Sequence, residues 1–364
     1  MKIIKVKNSN TQTVIRQAIK TLKAGGLIIY PTETRYGLGV DATNPKAVKK
    51  LLTYKSRREG KPLSIAVTSQ TMASNYVKLN TSAKNLYKKF LPGPLTVISK
   101  SKNKVAPGVE SETQTLGIRI PDYPLVLKIV KKLGKPITAT SANVSYKPRP
   151  YSIKNILNHT SKKQQALVSL IIDAGVLPKR PASTVVDTTL DDPLILRQGQ
   201  LLPTTGKTLT TKSPKATSQL AQTLMLKHWN DLQTQPLMFL LIGELGSGKT
   251  QFSKGIGQFL NISQPIVSPT YTIEREYNYQ RHKLKGKFLH LDTWRLQNLE
   301  ELHQLNLKTR LQPKTVIAIE WASRTLKPLL KLAKQTKAQI ISLELKAITN
   351  QPTHRSITLK AITP

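Results

Sequence analysis

Apolar positions in the first two hundred residues fall into short runs separated by stretches with helical spacing. Leu27–Tyr30, Leu63–Val67, Leu95–Ser99, Leu116–Ile120, Val168–Ile172, Ser183–Asp187 and Leu194–Arg197 read as strands, because each is brief and most are rich in β-branched side chains. Val14–Lys23, Pro45–Tyr54, Ala83–Phe90 and Leu125–Leu133 repeat apolar residues three and four apart and read as amphipathic helices. Met1–Lys7 alternates apolar and basic residues like a first strand. The mixture predicts one α/β domain around a mixed sheet over residues 1–200. Near 200–217 the periodicity stops, and the stretch LLPTTGKTLTTKSPKATS reads as a linker, assigned to 201–213. A second domain, 214–364, then opens with a helix, Ala216–Asp231, and the apolar strand Leu237–Ile242. Further strands are expected at Phe288–Leu291, Val316–Glu320 and Ile340–Lys346, with a hairpin partner at His354–Lys360. There are no internal repeats.

Composition narrows the class. The longest uninterrupted apolar run, Leu237–Ile242, is too short to cross a bilayer, and the N-terminus lacks the apolar core of a signal peptide, so a cytoplasmic protein without membrane contact is expected. The sequence has no cysteine, which excludes disulfides, thiolate metal sites and cysteine nucleophiles. The formal charge is +38. Such a field suits polyanions, nucleotides or tRNA among them, but lysine enrichment of the whole proteome would produce it too. Both parts are basic, with 34 basic against 10 acidic side chains in 1–200 and 23 against 9 in 201–364, so charge does not say which part would meet RNA.

The sharpest chemical signal is GELGSGKT at 243–250, a full match to G-x-x-x-x-G-K-[ST] set between an apolar strand and a helix. Gly243, Glu244, Gly246, Ser247 and Gly248 form a loop whose backbone N–H groups can turn onto phosphates. Lys249 can reach the β- and γ-phosphates, and the Thr250 hydroxyl can take Mg²⁺. HLDTWRL (290–296) ends an apolar strand on Asp292, a candidate Mg²⁺ carboxylate or else a helix cap. VIAIEW (316–321) delivers Glu320 and Trp321 to the same sheet edge. Glu320 could orient a water or support the metal, and Trp321 could stack near the nucleotide or pack in the core. VSPTYT (267–272) has the form of a loop that senses the γ-phosphate.

The order GELGSGKT, SPTYT, HLDTWRL, IEWA resembles the TsaE family over nearly the whole C-terminal part. That resemblance implies a small P-loop ATPase working with a TsaD–TsaB threonylcarbamoyl-transferase assembly. It assigns Lys249 and Thr250 to phosphate and Mg²⁺, Asp292 and Glu320 to Mg²⁺ and hydrolysis, and Thr270 to the switch segment. The choice of ATP over GTP rests on the family alone.

Candidate chemistry in the N-terminal part is more dispersed. YPTETRYGLGVDA (30–42) follows a buried strand with a polar turn, and KSRREGKPLSIAV (55–67) gathers Lys55, Arg57, Arg58 and Lys61 before the next strand. Converging cations can hold a triphosphate through charge-assisted bonds, although a solvated basic turn reads the same way. PGPLT (92–96), GIRIPD (117–122), TSAN (140–143), STVVD (183–187) and ILRQG (195–199) each place small polar or basic residues at strand ends. In this order they resemble the YrdC/TsaC family of threonylcarbamoyl-adenylate synthases. The resemblance implies a mixed α/β fold with a deep basic cavity, and a reaction of L-threonine, bicarbonate and ATP that yields threonylcarbamoyl-AMP and pyrophosphate. It assigns Lys55, Arg57, Lys61, Ser141, Asn143 and Arg197 to the nucleotide. Thr32, Thr34, Tyr36, Arg119 and Ser183 fall to the threonine and carbamate region. Arg35 departs from the family's small apolar residue, and Tyr146 and Lys147 follow SANVS where a glycine is common. An alternative makes the N-terminal part an RNA-binding module and the C-terminal part a regulatory nucleotide switch.

Overall fold

The computed structural model describes residues 1–55, 62–143, 148–197, 199, 208–296 and 299–360. The chain forms two compact units, one of residues 1–189 and 193–203, the other of 190–192 and 204–364.

In the first unit the run LIIY at 27–30 is apolar throughout because both of its faces are buried. Leu27 and Ile29 enter one core with Leu38, Val40, Ile65, Val97 and Ile118. Ile28 and Tyr30 enter another with Val14, Ile15, Leu22, Val126 and Ile129. One sheet runs Lys2–Lys5, Val168–Asp173, Leu27–Tyr30, Gly37–Gly39, Thr140–Ser141, with its first two pairings parallel and the rest antiparallel. The second runs Leu194–Arg197, Thr184–Asp187, Leu95–Ser101, Thr115–Arg119, Ser64–Ala66, Ile137–Thr138, with Val77–Lys78 joined to Leu95–Ser101. Gly37 and Gly39 are glycine for a local reason: a Cβ would stand 2.9 and 2.7 Å from the Tyr30 ring. The Tyr30 hydroxyl in turn donates to the Thr138 carbonyl at 2.9 Å, tying the two sheets together.

The second unit is one sheet in the order Thr208–Thr211, Gln351–Lys360, Gln339–Ile348, Leu237–Ile242, Thr315–Glu320, Leu284–Asp292, Glu274–Arg281. Its four central strands pair in parallel and its edges are antiparallel. Leu237–Ile242 is again buried on both faces. Met238 and Leu240 pack with Leu329 and Ala333 of the helix Leu326–Thr336, while the Phe239 ring lies 5.8 Å from that of Phe252 on the helix Lys249–Phe259. That helix packs against Pro214–His228 so closely that a Cβ on Gly255 would meet the Ser218 carbonyl at 2.4 Å.

Two segments differ from the sequence expectation. Thr208–Thr211, assigned to the linker, is an edge strand paired with Gln351–Lys360. Its Leu209 is buried, but the flanking threonines and lysines are the polar residues that edge strands tolerate, and composition reads them as linker. The helix beyond it starts at Pro214 and is capped by Ser213, whose hydroxyl accepts from Ala216 N. Glu274–Arg281 carries no apolar run, yet it is a strand because Tyr277, Tyr279 and Arg281 alternate inward. Arg57, Arg58, Lys61, Tyr146 and Lys147 lie outside the described residues.

Candidate active sites

The C-terminal site forms where parallel strands end. Registry sets Leu241 and Asp292 beside Glu320, so the carboxylates emerge at the sheet's carboxyl edge next to the loop that follows Ile242. A pocket of about 280 Å³ is lined there by Gly246, Gly248, Lys249, Thr250, Asp292, Glu320 and Trp321, with Ser268, Thr270, Leu245, Gln251 and Lys254. Lys249 Nζ donates to the carbonyls of Gly243 (2.8 Å) and Glu244 (2.9 Å) and sits 4.0 Å from the centre of the Trp321 ring. Burial pulls the Lys249 ammonium below its ordinary pKa, against the attraction of Glu320, Asp292 and Glu244. Ser247 is buried, and its N–H donates to the Glu244 carbonyl. Trp321 is held at φ +57°, an uncommon conformation for so bulky a residue, and stacks obliquely on Trp294 at 4.4 Å. It therefore both packs and lines the pocket.

The oxygens in this pocket are cross-linked. Thr250 Oγ1 donates to Glu320 Oε2 at 3.1 Å, and Thr270 Oγ1 donates to Asp292 Oδ2 at 2.6 Å. Asp292 Oδ1 also accepts from Trp294 N at 2.9 Å. A hydroxyl and two carboxylates make an all-oxygen donor set, which fits Mg²⁺; that ion keeps several waters and shares phosphate oxygens instead of filling a protein cage.

The N-terminal site gathers side chains from segments far apart in sequence. Gly37–Gly39 pairs with Thr140–Ser141, and Tyr36 exchanges backbone bonds with Pro150 and Ala142, so the 32–36 turn meets the TSAN segment. Lys55, buried at the end of its helix, donates to the carbonyls of Ser141 (2.9 Å) and Asn143 (2.6 Å). The Thr32 hydroxyl builds the turn itself: it accepts from the N–H of Thr34 and Arg35 and donates to the Arg35 carbonyl at 2.6 Å. Thr34 is buried beside it, 3.2 Å away between hydroxyls. Tyr36 donates to the Gly175 carbonyl at 2.8 Å, and burial raises its pKa. Arg119 pairs with the buried carboxylate of Glu33. Arg197 Nε donates to the carbonyl of buried Ser183 at 3.0 Å.

Four guanidinium groups lie close enough here to repel one another. Burial lowers the pKa of Arg197 to about 10, with further lowering by Arg119, Arg35 and Arg149. Arg197 keeps solvent contact all the same. Burial also lowers that of Arg35, with contributions from Arg149 and Arg119, and its Nη2 is buried with no hydrogen-bond partner. Glu33 is the acid paired into this cluster, and its own Oε2 is also without a partner. Excess positive charge gathered in one place is what an anionic ligand requires.

Both parts of the chain match known family models. Residues 20–199 match the Sua5–YciO–YrdC family model, described as "Telomere recombination", and residues 211–356 match the model described as "Threonylcarbamoyl adenosine biosynthesis protein TsaE". A Vibrio vulnificus protein named threonylcarbamoyl-AMP synthase is 31% identical over 188 residues, covering 51% of this chain and 98% of that one. The chain belongs to the Sua5–YciO–YrdC family. To that domain it joins a TsaE domain. The Bacillus subtilis threonylcarbamoyl-AMP synthase is 35% identical over 52% of this chain, but the chain spans only 55% of its length. A crystal structure of P. abyssi Sua5 complexed with L-threonine is alike in fold, with a TM-score of 0.52 at 20% identity, covering 94% of this chain and 99% of that one.

Within the TsaE domain, sequence reasoning missed His290, which contacts Glu320 from inside the sheet, and Lys254, one turn beyond Thr250 on the pocket wall. In the Sua5–YciO–YrdC domain it missed Glu33 and Arg149. The first was read only as part of a turn, and the second lies in a proline-flanked segment without a motif.

Proposed function

We propose that the chain serves the biosynthesis of threonylcarbamoyladenosine in tRNA. The N-terminal domain condenses L-threonine, bicarbonate and ATP into threonylcarbamoyl-AMP and pyrophosphate. The C-terminal domain binds and hydrolyses ATP in support of a TsaD–TsaB transferase. The observation that carries this reading is the pairing, in one chain, of a domain whose relatives bear the synthase name with a TsaE-matched domain.

In the first reaction a threonine carbamate oxygen attacks the α-phosphorus of ATP, an O–P bond forms, and the bond to the pyrophosphate leaving group breaks. Charge accumulates on the phosphates, and the clustered cations Arg35, Arg119, Arg149 and Arg197 would offset it. Lys55 orders the Ser141–Asn143 backbone that would face the nucleotide. A carbamate is already anionic, so the step needs no general base.

In the second domain the Gly243–Gly248 backbone and Lys249 hold the phosphates, and Thr250, Asp292 and Glu320 form the set that would hold Mg²⁺. The ion, when bound, screens charge on the transferred phosphoryl group. Thr270, bonded to Asp292, links the switch segment to that set. No helix among the described residues is long and apolar enough to cross a membrane, and the reading places the protein in the cytoplasm.

The test is direct. The full chain is incubated with ATP, labelled threonine and bicarbonate, and the labile adenylate is sought by mass spectrometry. Product that appears only with all three substrates supports the reading. Its absence while the chain still hydrolyses ATP would remove the synthase assignment.

A further inference from the structure

His290 lies on the strand Leu284–Asp292, two residues before Asp292 and therefore on the same face of the sheet. Its neighbour across the ladder is Ala318, so the imidazole has room to reach along the sheet toward Glu320. Its Nε2 stands 2.7 Å from Glu320 Oε1, and both side chains are almost wholly buried, at 0% and 3% exposure. The ring stacks on Phe288, with 6.0 Å between centres and 12° between planes, which fixes its orientation. Glu320 is thus gripped at both oxygens, by His290 on one side and the Thr250 hydroxyl on the other.

The second ring nitrogen decides what kind of grip this is. His290 Nδ1 is buried and has no hydrogen-bond partner. A nitrogen that carries a proton there would be an orphaned buried donor, which costs more than an idle lone pair. The proton therefore belongs on Nε2, where it meets the carboxylate. A carboxylate that accepts from both neighbours turns the Thr250 O–H inward, which aims the Thr250 oxygen lone pair outward into the pocket.

We propose that His290, through the contact of its Nε2 with Glu320, is the positioning residue that fixes Glu320 and through it Thr250 for nucleotide hydrolysis. The proposal rests on the reading of this domain as an ATPase. His290 touches neither nucleotide nor reacting atoms, so its removal acts on turnover and leaves phosphate binding by the loop in place.

Two variants separate positioning from packing. His290→Leu fills the space without a donor, and His290→Gln keeps an N–H near the position of Nε2. In the full chain with Mg²⁺-ATP, alone and with the TsaD–TsaB pair, His290→Leu is expected to lower kcat about tenfold to a hundredfold, the worth of one hydrogen bond to a charged group. The dissociation constant for ATP should stay within twofold, and His290→Gln should recover most of the loss. Equal losses in both variants, or none in His290→Leu, would overturn the proposal. A third measurement needs no variant: nitrogen-15 spectra of the wild-type imidazoles should show His290 with a bare Nδ1 and a protonated Nε2. The opposite tautomer, with a bare Nε2, would equally overturn it. If the wild-type chain binds ATP but never hydrolyses it, the ATPase reading fails, and the nitrogen-15 result still decides the tautomer.

Discussion

Replacing Gly243 by alanine tests whether the phosphate loop is positioned by the strand beside it. A Cβ at this residue would stand 2.2 Å from the carbonyl oxygen of Leu345 and 2.6 Å from Ser247 Oγ. Carbon and oxygen normally approach no closer than about 3.3 Å, so one side must retreat by about 1 Å. The Leu345 carbonyl belongs to the strand Gln339–Ile348, which Gln351–Lys360 holds through the Leu345–Ile357 pair just beyond its last pairing with Ile242, so it gives way less readily than the loop. The loop moves instead, and with it the Gly243 and Glu244 carbonyls that seat Lys249. Overpacking of this kind costs about 1–3 kcal/mol of stability, and a misplacement of about 1 Å in a binding constellation costs about a hundredfold. Calorimetric titration with Mg²⁺-ATP should therefore show affinity reduced by about two orders of magnitude. Adding Ser247→Ala removes the softer obstacle and should restore little. ATP affinity within twofold of wild type in Gly243→Ala, or full recovery in the double variant, would refute the reasoning.

Further predictions concern the proposed roles. Lys249→Ala should abolish ATP binding, whereas Glu320→Ala should bind ATP and hydrolyse it at least about a hundredfold more slowly; normal hydrolysis by Glu320→Ala, measured as phosphate release, would remove that carboxylate from the mechanism. In the N-terminal domain, Lys55→Ala and Arg57→Ala should both abolish the threonine- and bicarbonate-dependent release of pyrophosphate. Arg35→Val should lower kcat/KM for ATP several-fold, with part of the loss in kcat, by taking one cation from the cluster with Arg119, Arg149 and Arg197; an unchanged kcat/KM would place Arg35 outside the nucleotide site. Pull-downs with ATP, ADP and no nucleotide should show capture of TsaD–TsaB that depends on nucleotide and on residues 214–364, and any direct binding of tRNA should weaken steeply with salt.

How much of this was legible beforehand depended on whether a residue's role is local. GELGSGKT is a local device: a strand, a turn with three glycines and a helix start are consecutive in the chain, so sequence alone determined the loop and the place of Lys249 and Thr250. The same holds for Leu27–Tyr30 and Leu237–Ile242, whose boundaries follow from unbroken apolar runs that only a strand buried on both faces requires. Asp292 and Glu320 were legible for a related reason, since each ends such a run and a parallel sheet sends strand ends to one edge.

Tertiary structure decided the rest. Thr208–Thr211 and Glu274–Arg281 are strands because a neighbour supplies the ladder, and neither carries enough apolar residues to announce itself. His290 stood inside a recognised motif, but only the register between Leu284–Asp292 and Thr315–Glu320 turns it toward Glu320. Thr32 has the residue type of a substrate contact, and the fold spends its hydroxyl on the turn. The arginine cluster is the clearest case. Arg35, Arg119, Arg149 and Arg197 are scattered over more than 160 positions of a chain with basic residues everywhere. The tertiary fold brings the four close enough to influence one another, because charges converge by geometry that no local pattern encodes.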